Sequence, residues 1–266
     1  MSTRRRRLRE LPVNALVPNA LTVLGLCLGL TAIRFALLDR WEAAVVAIIA
    51  AGFVDGLDGR VARILKASTE FGAHLDSLAD FLSFGVAPAM VLYLWSLQEG
   101  RAAGWAVALL FAVCMALRLA RFNASMANPD RPAWTSHYFT GLPAPTASGI
   151  VLMPMMLSFE FGDVFFREPV IVALHAIAVA LLMVSTIPMY SGKGIRVRHE
   201  HVLPVLLLVG VLFAVVLGYP WYLFPLLGLG YLASIPFSVR GCRRLRAKAM
   251  ADAEDVEAGD DEVSVD

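Results

Sequence analysis

Four aspartates stand close together in this chain: Asp55 and Asp58, then Asp76 and Asp80. Within each pair the spacing is three or four residues, so on a helix both members share a face. Carboxylates that converge repel one another unless a cation sits among them. A set of oxygen ligands with no cysteine suits a hard divalent ion, Mg²⁺ or Mn²⁺, and two such ions balance four negative charges. Paired ions of this kind stabilise both the attacking and the leaving oxygen of an in-line displacement at phosphorus.

The residues around the acids fit that chemistry. Gly59 and Ala62 share a helical face beside them and leave room for a bulky ligand to approach the backbone, and Gly72 is a third small residue in the stretch. Close helix packing is the other use of such residues; among these acids the cleft is the expectation. Arg63, one turn past Gly59, offers a planar fork of donors suited to phosphate oxygens. His74 sits among the acids at a position expected to be solvated or to support a ligand from behind. His137, His199 and His201 read as solvated loop residues.

The elements that carry these residues belong in lipid. The 266 residues are 58% hydrophobic and 17% charged, with a mean hydropathy of +0.68, outside the usual globular mixture. Hydrocarbon satisfies no backbone polar group, and the long apolar runs select helices over a barrel. An all-α integral membrane protein with eight spans is expected, at 17–38, 41–61, 71–97, 103–121, 142–159, 169–188, 202–217 and 222–239. With both termini cytoplasmic, all but Arg34, Arg40, Arg101 and Arg167 of the 23 Lys and Arg fall on the cytoplasmic side, as the positive-inside rule requires. A charge at a span centre costs about 2.5–3.5 kcal/mol, so four acids at the facing ends of two successive spans imply function.

The flanks are simpler. The basic arm 1–16 reads as a retained topogenic signal, and 241–266 as a basic and then acidic disordered tail. Cys27, Cys114 and Cys242 are too scattered for a metal cluster or a disulfide framework and are expected to pack.

From Asp55 to Asp80 the chain reads Asp, two residues, Asp-Gly, two residues, Ala-Arg, eight residues, Gly, three residues, Asp, three residues, Asp. This resembles the complete signature of the CDP-alcohol phosphatidyltransferase family, with every fixed position filled. The resemblance implies a six-helix catalytic core, here 17–188, with two further helices in 189–240. It also implies a site at the cytoplasmic face, a homodimer, two metals held by the four acids, and Asp80 serving as base as well as ligand. Outside the signature, Leu16-Val-Pro18-Asn19-Ala-Leu-Thr22, Asp80-Phe-Leu-Ser83-Phe84-Gly85-Val-Ala-Pro88, Arg118-Leu-Ala-Arg121-Phe122-Asn123 and Phe139-Thr-Gly141-Leu-Pro143-Ala-Pro145 resemble the serine-accepting bacterial branch. The implied substrates are CDP-diacylglycerol and L-serine, in a bacterial inner membrane, with membrane lipid as surroundings and no nucleic acid.

On that basis Asn19 and Thr22 are candidates for hydrogen bonds to the nucleotide, or else for capping the first helix after Pro18. Arg118, Arg121 and Asn123 are candidates for the lipid phosphate or the acceptor carboxylate, or else supply topogenic and helix-end charge. Another acceptor on the same fold (glycerol 3-phosphate, inositol phosphate, choline) is the nearest alternative. A divalent-metal transporter is a remote one, since it calls for a second acid cluster that the sequence lacks.

Overall fold

The computed structural model describes residues 13–67, 69–126, 138–190 and 202–242. The basic arm up to residue 12, the loop histidines 137, 199 and 201, Arg131 and the acidic tail lie outside them. The described chain is helical except for one two-stranded ribbon. Five helical segments are long and apolar enough to cross a membrane, and two shorter apolar helices accompany them.

Helix α1 (Val13–Ala36) packs along α2 (Trp41–Ile64) and also against α3 (Glu70–Asp80). It starts earlier than the sequence implied, so Pro18 lies inside the helix and not at its mouth. Asn19 and Thr22 are therefore interior residues of α1 and do not cap it. At about 1.5 Å per residue, α2 is long enough to span a bilayer despite its charges. It stops at Leu65, where Lys66 takes a positive φ of 50°. Thr69 then caps α3, its Oγ1 accepting from the Gly72 N–H at 3.0 Å. This short turn brings both acid-bearing segments onto one side of α1.

The third expected span, 71–97, is interrupted. After Asp80 the helix opens into a π segment (Phe81–Val86), regains α geometry as α4 (Ala87–Trp95) and ends in a 3₁₀ turn (Leu97–Gly100). Pro88 supplies a local cause: its ring cannot tolerate the carbonyl four residues back in a regular α turn. The wide turn is also wedged between neighbours. Ser83 Oγ donates to Gly25 O on α1 at 3.1 Å, and a Cβ on Gly29 would lie 2.8 Å from Ser83 Cα. A Cβ on Gly85 would lie 2.9 Å from Met115 Cγ on α5 (Arg101–Met126).

The rest of the chain closes around this centre. Strand β1 (Tyr138–Thr140) leads to α6 (Ala144–Val151) and α7 (Met153–Phe161), which break at Leu152 ahead of Pro154. The short α8 (Asp163–Phe166) precedes α9 (Pro169–Val184), which packs on α5. α9 ends four residues before the expected 188, because Pro188 belongs to β2 (Pro188–Tyr190), paired antiparallel with β1. Of the final pair, α11 (Pro220–Ala233) packs on α6 and α7, whereas α10 (Val202–Gly218) packs on α11 and buries none of its residues. The core joins Phe84, Trp95, Phe111, Met115, Met155 and Met183, drawn from five of these elements.

The α1–π contact is the tightest constraint on where the acids sit. Gly29→Val should lower the thermal unfolding midpoint in detergent, an overpacking cost of about 1–3 kcal/mol. Gly210→Ala, at a site where a Cβ meets nothing within 4 Å, should leave the midpoint unchanged or raise it.

Candidate active site

Helix periodicity places Asp55, Asp58, Gly59 and Ala62 on one face of the C-terminal half of α2, and Gly72, Asp76 and Asp80 on the matching face of α3. The structure draws one carboxylate oxygen each from Asp55, Asp76 and Asp80 to within 4.8 Å of one another. Asp55 and Asp80 come within hydrogen-bond reach. Asp58 stands slightly apart: it is 5% exposed and its Oδ2 accepts from Thr22 Oγ1 at 2.8 Å. All four acids line one small cavity of about 10 Å³ with Thr22, Gly25, Ser83 and Phe84, space for roughly one water-sized occupant. Three anionic oxygens so close, around a void of atomic size, fit a hard divalent cation.

A larger cleft of about 360 Å³ opens from this point between α1, α2 and α3. Its walls include Asn19, Thr22, Asp58, Gly59, Ala62, Gly72 and Asp76, together with Pro18, Ala67, Thr69 and Ala73. The glycines prove to have different duties. A Cβ on Gly59 would meet nothing within 4 Å, so its smallness is not used for packing and leaves the cleft open. A Cβ on Gly72 would come within 2.8 Å of Asn19 Oδ1, so Gly72 is small to let α1 approach. Asn19 thus lies on the cleft wall, and Thr22 reaches across to hold Asp58. Arg63 is exposed and outside the cleft lining; its Nε donates back to Gly59 O at 3.0 Å. His74 is exposed, as expected.

The cations on α5 diverge. Arg118 is buried, its Nε donating to Leu142 O, and its charge acts on Asp80. Arg121 turns away from the acids. Its NH1 donates to Val184 O at 2.7 Å, and its NH2 to Ser185 O at 3.0 Å and Thr140 O at 3.1 Å. These are the orphan carbonyls at the end of α9 and the backbone of β1, so Arg121 fastens the ribbon to the bundle. Gly141, at φ 77°, makes the adjoining turn against Met183 O. Asn123 Nδ2 donates to Ser77 Oγ at 2.9 Å and ties α5 to α3. Both Arg121 and Asn123 therefore hold scaffold together, and Arg118 is the cation of this group that faces the acids.

A family model for CDP-alcohol phosphatidyltransferase matches residues 15–187. The chain belongs to the CDP-alcohol phosphatidyltransferase family. A second model, CDP-alcohol phosphatidyltransferase 2, matches 200–236, the segment that carries α10 and α11. Among curated CDP-alcohol phosphatidyltransferases, a Mycobacterium tuberculosis protein is 40% identical over 230 residues, 86% of this chain and 80% of its own. A Mycobacterium leprae protein is 39% identical over 245 residues, 92% of this chain and 81% of its own. A Helicobacter pylori protein is 31% identical over 205 residues, 76% and 84% of the two chains. Each of the three is named CDP-diacylglycerol–serine O-phosphatidyltransferase.

The different duties of the two glycines can be separated experimentally. Gly59→Leu should keep the unfolding midpoint while weakening CMP binding by roughly tenfold or more, because the side chain fills the cleft. Gly72→Ala should lower both, because it displaces Asn19. Thermal unfolding with and without CMP reads each effect.

Proposed function

We propose that this chain transfers the phosphatidyl group of CDP-diacylglycerol to the hydroxyl of L-serine, giving phosphatidylserine and CMP. The observation that carries the chemistry is the meeting of Asp55, Asp76 and Asp80 at the head of a cleft that Gly59 leaves open. The choice of serine is supported by relatives of that name that match most of the chain.

The cytidine lies in the cleft against Gly59 and Ala62, with Asn19 on its wall and Thr22 holding Asp58 in place. Arg63, at the edge, turns toward the diphosphate, and the acyl chains stay in the bilayer. Asp55, Asp58, Asp76 and Asp80 would hold the divalent cations, Mg²⁺ or Mn²⁺ and two in number, which would supply neutralisation of charge on the diphosphate and on the departing CMP. Asp80 accepts the serine hydroxyl proton. The serine oxygen then bonds to the lipid-bearing phosphorus as the bond from that phosphorus to the CMP oxygen breaks, and the electron pair leaves with CMP. Arg118, buried beside Asp80, supplies positive potential for the incoming anion.

The same proposal includes eight spans, with both termini and the site on the cytoplasmic side of a bacterial inner membrane. Its support is the distribution of Lys and Arg and the placing of α2 among the long helices. It also includes a homodimer, on the family resemblance. Metal transport gains nothing from the structure, for among the described residues there is a single group of acids placed to hold a metal ion.

Purified protein in detergent should release CMP from CDP-diacylglycerol with serine, and not with glycerol 3-phosphate, inositol phosphate or choline. A chelator should abolish release, and Mg²⁺ or Mn²⁺ should restore it. Asp80→Asn should lower kcat by about 10²–10⁴-fold while the variant still inserts and binds CMP; near-normal turnover in that variant would remove Asp80 as the base.

A further inference from the structure

Beyond the nucleotide cleft and the acid cavity, a further cavity of about 380 Å³ lies between α2, the π segment, α6, α7 and α11, and its lining is almost wholly apolar. Along α2 the three spaces follow one another. The cleft takes Asp58, Gly59 and Ala62, the acid cavity Ala51, Asp55 and Asp58, and the apolar cavity Ile48, Gly52 and Phe53. At 1.5 Å per residue the path is about 20 Å long. It runs from the charged end of α2 to its middle, the depth at which hydrocarbon surrounds a spanning helix. Phe84 walls both the acid cavity and the apolar one. A Cβ on Gly52 would stand 3.8 Å from both the Phe84 ring and Pro145, so these three residues form the threshold nearest the acids.

The far wall is built by α11, outside the family-matched residues 15–187. Gly228 lets this helix come close: a Cβ there would lie 3.0 Å from Met153 Sδ and 3.4 Å from Ile150 Cγ1. Trp221 meets Phe159 edge-on, with ring centroids 4.9 Å apart, and fastens the start of α11 to α7. At the rim Phe53 and Leu227 are exposed, so the slot opens sideways to lipid between α2 and α11. Inside it, Gly149 stands about one turn past Pro145 on α6. A Cβ on Gly149 would meet nothing within 4 Å among the described residues.

The chemistry of the donor says what belongs in such a slot. Its lipid-bearing phosphorus carries the nucleotide on one side and the glyceride on the other. With the cytidine in the cleft and the diphosphate at the acids, the glyceride must leave the acids away from the cleft, and the apolar slot begins there. One water-sized group takes about 30 Å³, so the slot accepts about a dozen carbons, which is one acyl chain and not two. We propose that one acyl chain of the donor lies in this slot, which α11 closes and whose depth Gly149 sets. This rests on CDP-diacylglycerol being the donor, as proposed above. The second chain stays in the surrounding lipid.

The first test is CMP release with serine in mixed micelles, for the unaltered chain and Gly149→Leu, with dihexanoyl and dioleoyl CDP-diacylglycerol as donors. The leucine side chain has only the slot to enter and displaces several methylenes. Gly149→Leu should raise KM for the dioleoyl donor about tenfold, with kcat and the KM for serine within about twofold. The KM for the dihexanoyl donor, whose chains end short of Gly149, should change less than twofold. Equal rises with both donors overturn the proposal, as does no rise with either. The second test needs no variant. CDP-diacylglycerol bearing a diazirine midway along its acyl chains is photolysed with the unaltered chain, and the labelled peptides are identified by mass spectrometry. Label should fall on α6 and α11 and be displaced by unlabelled CDP-diacylglycerol but not by phosphatidylcholine. Equal displacement by phosphatidylcholine overturns the proposal, making the slot a seat for bulk lipid; label confined to α10 also overturns it. If serine yields no CMP but α6 and α11 are labelled competitively, the proposed acceptor fails and this inference stands. Normal serine turnover with unchanged Gly149→Leu kinetics removes this inference alone.

Discussion

Mutual repulsion among carboxylates governs this molecule. Asp55, Asp76 and Asp80 bring oxygens within 4.8 Å of one another at the end of membrane helices, where solvation is poor and charge is expensive. No local preference of α2 or α3 favours that arrangement; packing elsewhere has to impose it. Helix α1 does much of this by packing on both acid-bearing helices, with Thr22 gripping Asp58 and Gly72 letting Asn19 come close. On the other side, the π segment is wedged between Gly29 and Met115, which fixes Asp80 in depth and direction. The stability spent on gathering the acids is recovered in the apolar core around Trp95, Phe111 and Met115.

The helix ends around the acids show how scaffold and chemistry divide the polar residues. Arg121 and Asn123 resemble substrate ligands in type and location, yet each satisfies a partner within the fold: the carbonyls ending α9 and the hydroxyl of Ser77. Arg118, one turn earlier, is the one whose charge acts on Asp80. Helix ends buried near a site must have their carbonyls met, and an arginine can meet several at once. Three charged or amide groups on one short stretch therefore do two kinds of work, and their side-chain directions separate them.

Much of the site could be read from the sequence because it follows helix periodicity. The spacing of Asp55, Asp58, Asp76 and Asp80 fixes which faces they occupy, and the small residues Gly59 and Ala62 on one of those faces mark the cleft. The helices themselves were legible from apolar length. What stayed hidden depends on contacts between distant elements. The π turn needs Gly29 and Met115 as well as Pro88; the ribbon is only three residues on each side; the use of Arg121 depends on where α9 stops. Gly59 and Gly72 look alike in sequence and are distinguished only by what faces them.

The π segment has a consequence for how this span can vary over time. A regular helix locks the angular phase of every residue to every other, about 100° per residue, so a change of packing at one end must rotate the other. One wide turn breaks that lock. The Glu70–Asp80 half keeps its phase to the acid cavity, while the Ala87–Trp95 half takes its phase from the core. The two halves of one membrane span are thereby freed to drift independently, and the interior can be rebuilt without re-aiming the carboxylates.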